Sequence, residues 1–238
     1  MRLIMMNYEI FQDVISRFES QSHLRIVAFG ASNTERHMPQ VHWTDVLEVG
    51  LRSRFGRKFQ MINAGVCGDC TRRAMKRFER DVLTYAPDIV IITFGGNDCN
   101  PLPERLVPED EYAANLTSMA ETLHRHGAIV IFQSYYKMIL EDMDQRRADL
   151  FVRYMERLRL LAAEKNWLLV DQYRMFDRIE RRYRLYNLMR DPMHVNENGN
   201  ILIGLYLSKF FDVDFNAVPW REKLLPMHDL LERTLEKK

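Results

Sequence analysis

Four short segments of the chain carry side chains that together could perform acyl transfer. Residues 30–34 (GASNT) hold a serine, residues 63–69 (NAGVCGD) are rich in small residues, residues 95–98 (GGND) contain an amide, and residues 191–194 (DPMH) pair an aspartate with a histidine three positions later. Acyl transfer by a serine requires a nucleophile, a base, an acid that orients the base, and hydrogen-bond donors for an oxyanion. The four segments supply all of these groups.

The elements around these segments predict that they meet at one edge of a sheet. Short apolar, β-branched runs predict five strands, over residues 24–29, 59–63, 88–94, 128–133 and 167–171. Amphipathic stretches predict helices over residues 8–20, 41–54, 71–85, 108–125, 145–165 and 198–211. This alternation predicts a three-layer α/β/α sandwich with a five-stranded parallel sheet, ordered 2-1-3-4-5. The first three segments directly follow strands, and the fourth comes after the fifth strand and one more helical stretch, so we expect the site at the carboxyl ends of the strands.

Composition favours a single globular domain. The 238 residues are 47% apolar and 28% charged, which excludes a largely disordered chain. Lys plus Arg number 34 and Asp plus Glu 33, so the net charge of +1 gives no sign of a nucleic-acid partner. We expect one domain over residues 1–238, with a core over about 25–211 and with the first helix and an arm from about Asn216 outside that core.

Cysteine usage and hydropathy favour a cytoplasmic protein. Cys67, Cys70 and Cys99 are too few for a disulfide framework. The N-terminal apolar run is interrupted by polar residues and is a poor signal peptide. Two of the longest apolar stretches, residues 89–94 and 201–207, are too short to span a bilayer. The sequence gives no indication of the oligomeric state.

The four segments, in this order along the chain, resemble the SGNH (GDSL-type) hydrolase family, over about Arg25 to Phe211. The resemblance implies that Ser32 is the nucleophile, that His194 is the general base and that Asp191 orients it. It also implies an oxyanion hole made by the N–H groups of Ser32 and Gly68 and by the side-chain amide of Asn97. No Gly-x-Ser-x-Gly elbow occurs in the chain, which argues against the α/β-hydrolase fold as the source of such a site.

By this resemblance the protein is a serine esterase that needs no metal or organic cofactor. It would hydrolyse small-molecule O-acyl esters, with acetyl or short acyl groups and with carbohydrate esters among the candidates, through an acyl-enzyme intermediate. One position departs from the family pattern, because Ala31 stands where an acid usually precedes the serine. Two alternatives therefore stay open: a non-catalytic or weakly active binding protein on the same fold, and an acyltransferase.

Several of these features have simpler interpretations. Ser32 alone could cap a helix that follows the first strand, and Gly95-Gly96 could be only a turn. The Cys-x-x-Cys spacing is compatible with zinc or redox chemistry, but no further ligand is evident, so loop packing of free thiols is favoured. Structural or surface roles are favoured for the other histidines, which are His23, His37, His42, His124, His126 and His228.

A run of basic residues precedes the Asp/His segment. Its members are Arg178, Arg181, Arg182, Arg184 and Arg190, with Glu180 as the one acid among them. A solvated helix face is the favoured interpretation, and a basic rim that attracts an anionic substrate or partner is the alternative.

Overall fold

The centre of the molecule is a five-stranded parallel sheet. The structure is a computed structural model that describes residues 2–21, 23–36, 38–219 and 221–235, with the backbone alone for residues 2–10. The strands are β1 (Leu24–Gly30), β2 (Phe59–Gly65), β3 (Ile89–Thr93), β4 (Ile129–Gln133) and β5 (Leu168–Val170). Their order is β2-β1-β3-β4-β5, which confirms the predicted topology.

Helices cover both faces of this sheet. They are α1 (Arg2–Ser20), α2 (Trp43–Phe55), α3 (Thr71–Asp81), α4 (Glu109–Arg125), α5 (Gln145–Glu164), α6 (Gln172–Glu180), α7 (Glu197–Lys209) and α8 (Arg221–Leu235). Helices α3, α4 and α5 pack side by side, and α2, α7 and α8 form a second packed group. None of the helices in the described part of the chain is long and apolar enough to cross a lipid bilayer.

A short antiparallel hairpin before α7 was not predicted from the sequence. It consists of β6 (Met189–Asp191) and β7 (His194–Val195), in which Asp191 is paired with His194. Strands of two or three residues are too short to show an alternating hydrophobic pattern. The hairpin is nevertheless important, because it carries the Asp/His segment.

The register of the central strands brings their carboxyl ends to one level. Gly30, the last residue of β1, lies opposite Gly65 of β2 on one side and Thr93 of β3 on the other. A Cβ atom on Gly65 would lie 2.1 Å from the backbone nitrogen of Glu35. Only glycine therefore lets the loop after β1 fold across the end of β2.

The core extends beyond residues 25–211 at both ends of the chain. Helix α1 buries Phe11, Val14, Ile15 and Phe18 in the same apolar cluster as the sheet, and α8 adds Leu224, Met227 and Leu231. The Phe18 ring stacks on Phe55 with a centroid distance of 4.5 Å. The expectation that the first helix and the C-terminal arm lie outside the core thus differs from the packing, because both present an apolar face to it.

A substitution in α1 tests this packing. Phe18 is fully buried, so Phe18→Ala should lower the free energy of unfolding by about 3–5 kcal/mol, through lost burial and a residual cavity. Leu160→Ala, at a position on α5 that is 56% exposed, is the control and should change it by less than about 0.5 kcal/mol. Urea unfolding measures both. Equal effects would mean that α1 does not belong to the core.

Candidate active site

Ser32 lies in a tight turn directly after β1. The N–H groups of Thr34 and Glu35 both donate to the carbonyl of Ala31, each at 2.9 Å. Ser32 itself is 7% exposed. Helix α2 begins only at Trp43 and its N-cap is His42, so the helix-cap interpretation of Ser32 is wrong. The Ser32 hydroxyl therefore does not cap α2.

The turn of the hairpin fixes the carboxylate of Asp191. Its Oδ1 accepts the backbone N–H groups of Met193 and His194, each at 2.9 Å. Both carboxylate oxygens also lie 2.9 Å from Nδ1 of the His194 ring. Partial burial raises the pKa of Asp191, but these hydrogen bonds outweigh the burial and hold the pKa below its ordinary value of 3.8. Asp191 is therefore an ionised acceptor at neutral pH.

Ser32, His194 and Asp191 form one hydrogen-bonded chain. Because Nδ1 donates to Asp191, the neutral ring carries its lone pair on Nε2. That atom lies 3.0 Å from the Oγ of Ser32, so the hydroxyl donates to it. This arrangement can remove the serine proton as the oxygen attacks a carbonyl.

The loops after β2 and β3 lie on either side of the serine loop and meet each other. The amide Nδ2 of Asn97 donates to the carbonyl of Asp69 at 2.9 Å. The preceding residue, Gly68, has a φ of 68°, a conformation that glycine adopts without strain. The structure thus joins the Gly68 and Asn97 segments, and one of the two amide protons of Asn97 is used in joining them.

The interpretation of Gly95-Gly96 as only a turn agrees with the backbone but is incomplete. Gly95 has a φ of 117°, and a Cβ on Gly96 would lie 2.6 Å from the ring of Tyr135. The turn is closed by Asp98, which accepts the N–H of Gly95 at 3.1 Å. Asp98 also accepts the N–H and the hydroxyl of Thr71, at 2.8 and 2.5 Å. The glycine turn therefore places Asp98 against the start of α3 and Asn97 beside Asp69.

Asp98 is an acid of this edge whose pKa is strongly shifted. Complete burial raises its pKa to about 6, while the hydrogen bonds from Thr71 and Gly95 oppose that rise. At neutral pH the carboxylate still predominates and accepts all three donors. Asp98 is close in sequence to Asn97, but its role is to hold the loop.

Arg77 on α3 is a positioning residue that the sequence did not single out. Its guanidinium donates to the side chain of Asp69 at 2.7 Å, to the carbonyl of Ala64 at 2.8 Å and to the carbonyl of Gly30 at 3.0 Å. It also lies over the ring of Phe29, 4.5 Å from its centroid. One side chain therefore ties together the ends of β1 and β2 and the Gly68 loop.

Tyr136, in the segment after β4, connects the serine loop to the histidine hairpin. Its hydroxyl lies 2.6 Å from Oδ1 of Asn33 and 2.7 Å from the carbonyl of Met193, and it accepts the N–H of Val195 at 3.1 Å. Burial raises the pKa of Tyr136 well above its ordinary value of 10, so the hydroxyl stays protonated. Nothing in the local sequence around Tyr136 signals these distant partners.

His42 also has a structural role beside the serine. Its Nδ1 accepts the N–H of Thr44 at 3.3 Å, and its Nε2 lies 3.2 Å from the carbonyl of Asn33. Trp43 donates its indole N–H to the same carbonyl at 2.9 Å. His42 thus positions the residue after Ser32. His37, by contrast, lies outside the described residues.

The three cysteines lie in the loops that follow β2 and β3. All three cysteines are free; Cys67 is exposed, while Cys70 and Cys99 are buried. In the described residues no three His, Cys, Asp or Glu side chains are grouped to hold a metal ion. The five arginines of the basic run are exposed, and Arg190 lies 3.4 Å from Asp191.

Tyr136→Phe tests whether the hydroxyl positions the reacting groups. The variant should fold but lose about 1–3 kcal/mol of stability, because polar groups on two loops lose their partner. It should also lose about 10- to 100-fold in kcat on a model ester, because the serine and histidine loops are no longer held in register. Steady-state kinetics and a melting curve measure the two effects.

Tyr154→Phe is the matched control for this substitution. Tyr154 is equally buried, and its hydroxyl donates to the carbonyl of Val107. We expect a loss of stability with little change in kcat. An equal fall in kcat for both variants would show that Tyr136 acts only through general stability.

The chain matches the model of the GDSL-like Lipase/Acylhydrolase family over residues 28–201. It is 32% identical over 118 residues to the uncharacterized lipoprotein YqeF of Bacillus subtilis, and this match spans 46% of the chain and about half (47%) of that relative. An acetylxylan esterase of Geobacillus stearothermophilus is 29% identical over 151 residues, which are 60% of this chain and 68% of that protein.

A longer match joins the chain to the isoamyl acetate-hydrolyzing esterase 1 homolog of Mus musculus. The two are 26% identical over 222 residues, which cover 85% of this chain and 86% of that protein.

Solved structures share the fold. The crystal structure of Axe2, the acetylxylan esterase from Geobacillus stearothermophilus, superposes with a TM-score of 0.71 at 22% identity, covering 84% of this chain and 98% of that one. Structures described as catalytic mutants of Axe2 have a serine, a histidine or an aspartate replaced by alanine. Since the family model spans most of the chain, from the end of the first strand to the start of α7, the protein belongs to the GDSL-like lipase/acylhydrolase (SGNH) family of ester hydrolases.

Proposed function

We propose that the protein is a serine esterase that hydrolyses small O-acyl esters through an acyl-enzyme intermediate. The observation that carries the proposal is the chain of contacts from Ser32 Oγ to His194 Nε2 at 3.0 Å and from His194 Nδ1 to Asp191 at 2.9 Å. The residue types agree with those replaced in the catalytic mutants of Axe2.

In this proposal the reaction has two halves. Ser32 Oγ attacks the ester carbonyl while Nε2 of His194 takes its proton, and a tetrahedral intermediate forms. The C–O bond to the alcohol then breaks, and His194 returns the proton to the leaving oxygen. Water enters, loses a proton to the same nitrogen and attacks the acyl carbonyl. The bond to Ser32 Oγ then breaks, His194 returns the proton to that oxygen, and the carboxylic acid leaves. Asp191 stays ionised throughout and stabilises the imidazole ring of His194 while that ring carries two protons.

The oxyanion of the intermediate needs fixed donors. We assign this role to the N–H groups of Ser32 and Gly68 and to the second amide proton of Asn97. Its first amide proton is held by the carbonyl of Asp69, so the side chain is already oriented before substrate binds. Donors that do not reorganise during the reaction contribute most to the rate.

The substrate class is supported by the relatives, because the names of two of them refer to acetate esters. The alternative of a non-catalytic binding protein was based on Ala31, which stands where the family usually has an acid. Backbone hydrogen bonds from Thr34 and Glu35 close the serine turn without that acid. We therefore favour catalysis.

Covalent labelling tests the nucleophile. A fluorophosphonate probe should attach to Ser32, and Ser32→Ala should lose both the labelling and, on the order of 10⁴-fold or more, kcat on p-nitrophenyl acetate. Ser53→Ala, at an exposed position on α2, should retain both. Labelling of another residue, or full activity in Ser32→Ala, would exclude this mechanism.

Asn97→Ala tests the oxyanion hole. The donor acts mainly when charge develops, so kcat should fall by about 10²–10³-fold with KM nearly unchanged. Asn115→Ala is the control, because that amide donates to Thr71 nearby, at 3.2 Å, and is given no role in the reaction. An Asn97→Ala variant that melts earlier but keeps its kcat would make Asn97 only a turn residue.

A further inference from the structure

An apolar groove lies next to the catalytic cleft and has no role in the reaction described above. It runs between the loop that follows the serine turn and helices α2 and α8, and its cavity volume is about 640 Å³. This is the size of a site for a small organic ligand. Most of its lining surface is apolar, and the apolar side chains that contribute to it are Met38, Pro39, Val41, Val46, Val49 and Leu224.

The charged side chains on the rim of the groove neutralise one another. They form three ion pairs, with N–O distances of 2.6 to 2.9 Å: Arg36 with Asp45, Arg52 with Glu48, and Lys223 with Glu197. A charged ligand would have to compete with these pairs for every partner. The groove therefore suits an uncharged, apolar group.

The groove adjoins the cleft that contains Ser32 and His194. Arg36, Met38 and Gln40 line both cavities. Met38 is 39% exposed, and a methionine side chain adapts readily to a ligand that passes beside it. A molecule whose reacting carbonyl is at Ser32 can thus extend into the groove.

The position of the groove indicates which half of an ester it would hold. His194 precedes α7, and α7 packs with α2 and α8 around the groove. The oxyanion-hole candidates Gly68 and Asn97 precede α3 and α4, which form the other packed group. The base must return its proton to the leaving alcohol, so the alcohol lies on the His194 side.

We propose that this groove binds the alcohol portion of the ester, and that this portion is an uncharged alkyl group of several carbons. The inference rests on the proposed esterase function and adds the identity of the group that is released. It predicts selection for the length of the alcohol and assigns no such selection to the acyl side.

Alkyl acetates test the inference directly. Ethyl, butyl and hexyl acetate have the same acyl group and leaving groups of similar reactivity, so their kcat/KM values compare binding of the alkyl chain. Full burial of one methylene raises kcat/KM by about fourfold. An open groove that covers about half of the alkyl surface should raise kcat/KM by about twofold for each methylene. We expect kcat/KM for hexyl acetate to exceed that for ethyl acetate by about 15-fold, measured as acetate release.

Filling the groove should remove this selection. Val49 is half-buried on α2 and lines the groove, and Val49→Trp should lower the hexyl-to-ethyl ratio to below about fivefold. Val152→Trp, at an exposed valine on α5, is the matched control and should keep the wild-type ratio. If Val49→Trp melts early, Val49→Glu replaces it, since a carboxylate in the groove should lower the same ratio.

Each alternative has its own outcome. Ethyl acetate, ethyl butyrate and ethyl hexanoate vary the acyl group. If Val49→Trp lowers the ratio of kcat/KM for ethyl hexanoate to that for ethyl acetate, the acyl chain lies in the groove and the proposal is overturned. A flat alkyl acetate series would also overturn it, while hydrolysis of ethyl acetate that depends on Ser32 would leave the esterase function intact. A dimer that dissociates in Val49→Trp during size-exclusion chromatography would assign the groove to a second copy of the chain.

Discussion

The site depends on the contact between Ser32 and His194, two residues separated by 162 positions in the sequence. A hydrogen bond of 3.0 Å tolerates little relative movement of the two loops that carry it. The turn of the hairpin sets the direction of the imidazole, because Asp191 binds both the ring and the backbone of its own turn. What remains to be fixed is the distance between the hairpin and the end of β1.

That distance is set by buried polar side chains around the serine turn. The Tyr136 hydroxyl contacts Asn33 on one loop and Met193 and Val195 on the other. Arg77 ties Gly30 to the Gly68 loop from the opposite side. Buried donors and acceptors of this kind are costly when unpaired, so the arrangement that satisfies those of Tyr136 and Arg77 is strongly preferred. The serine turn is held on both sides by interactions that involve no reacting atom.

The sequence predicted the sheet and the residues that meet at the candidate site more fully than the groups that position them. Continuous apolar runs mark buried parallel strands, and the five strands start and end within two residues of their predicted bounds. Ser32, Asn97, Asp191 and His194 could be named because each stands in a short segment with a recognisable order. Tyr136, Arg77 and His42 could not, because their partners are distant in sequence and neighbouring residues carry no trace of them. The hairpin was missed for a related reason, since two paired strands of two and three residues leave no hydrophobic period to detect.

The two helical layers give the site an asymmetry that the reaction can use. Segments that lead into α3 and α4 contribute Gly68 and Asn97, whereas the hairpin that leads into α7 contributes His194. In the proposed mechanism, an ester bound at Ser32 has its developing negative charge on the first side and its leaving oxygen on the second. The larger apolar groove lies beside α2 and α8, on the second side. Because the rim charges of this groove are paired with one another, it offers mainly apolar contact to the alcohol half of the molecule. Substrate choice in this protein is therefore expected to lie mainly with the alcohol.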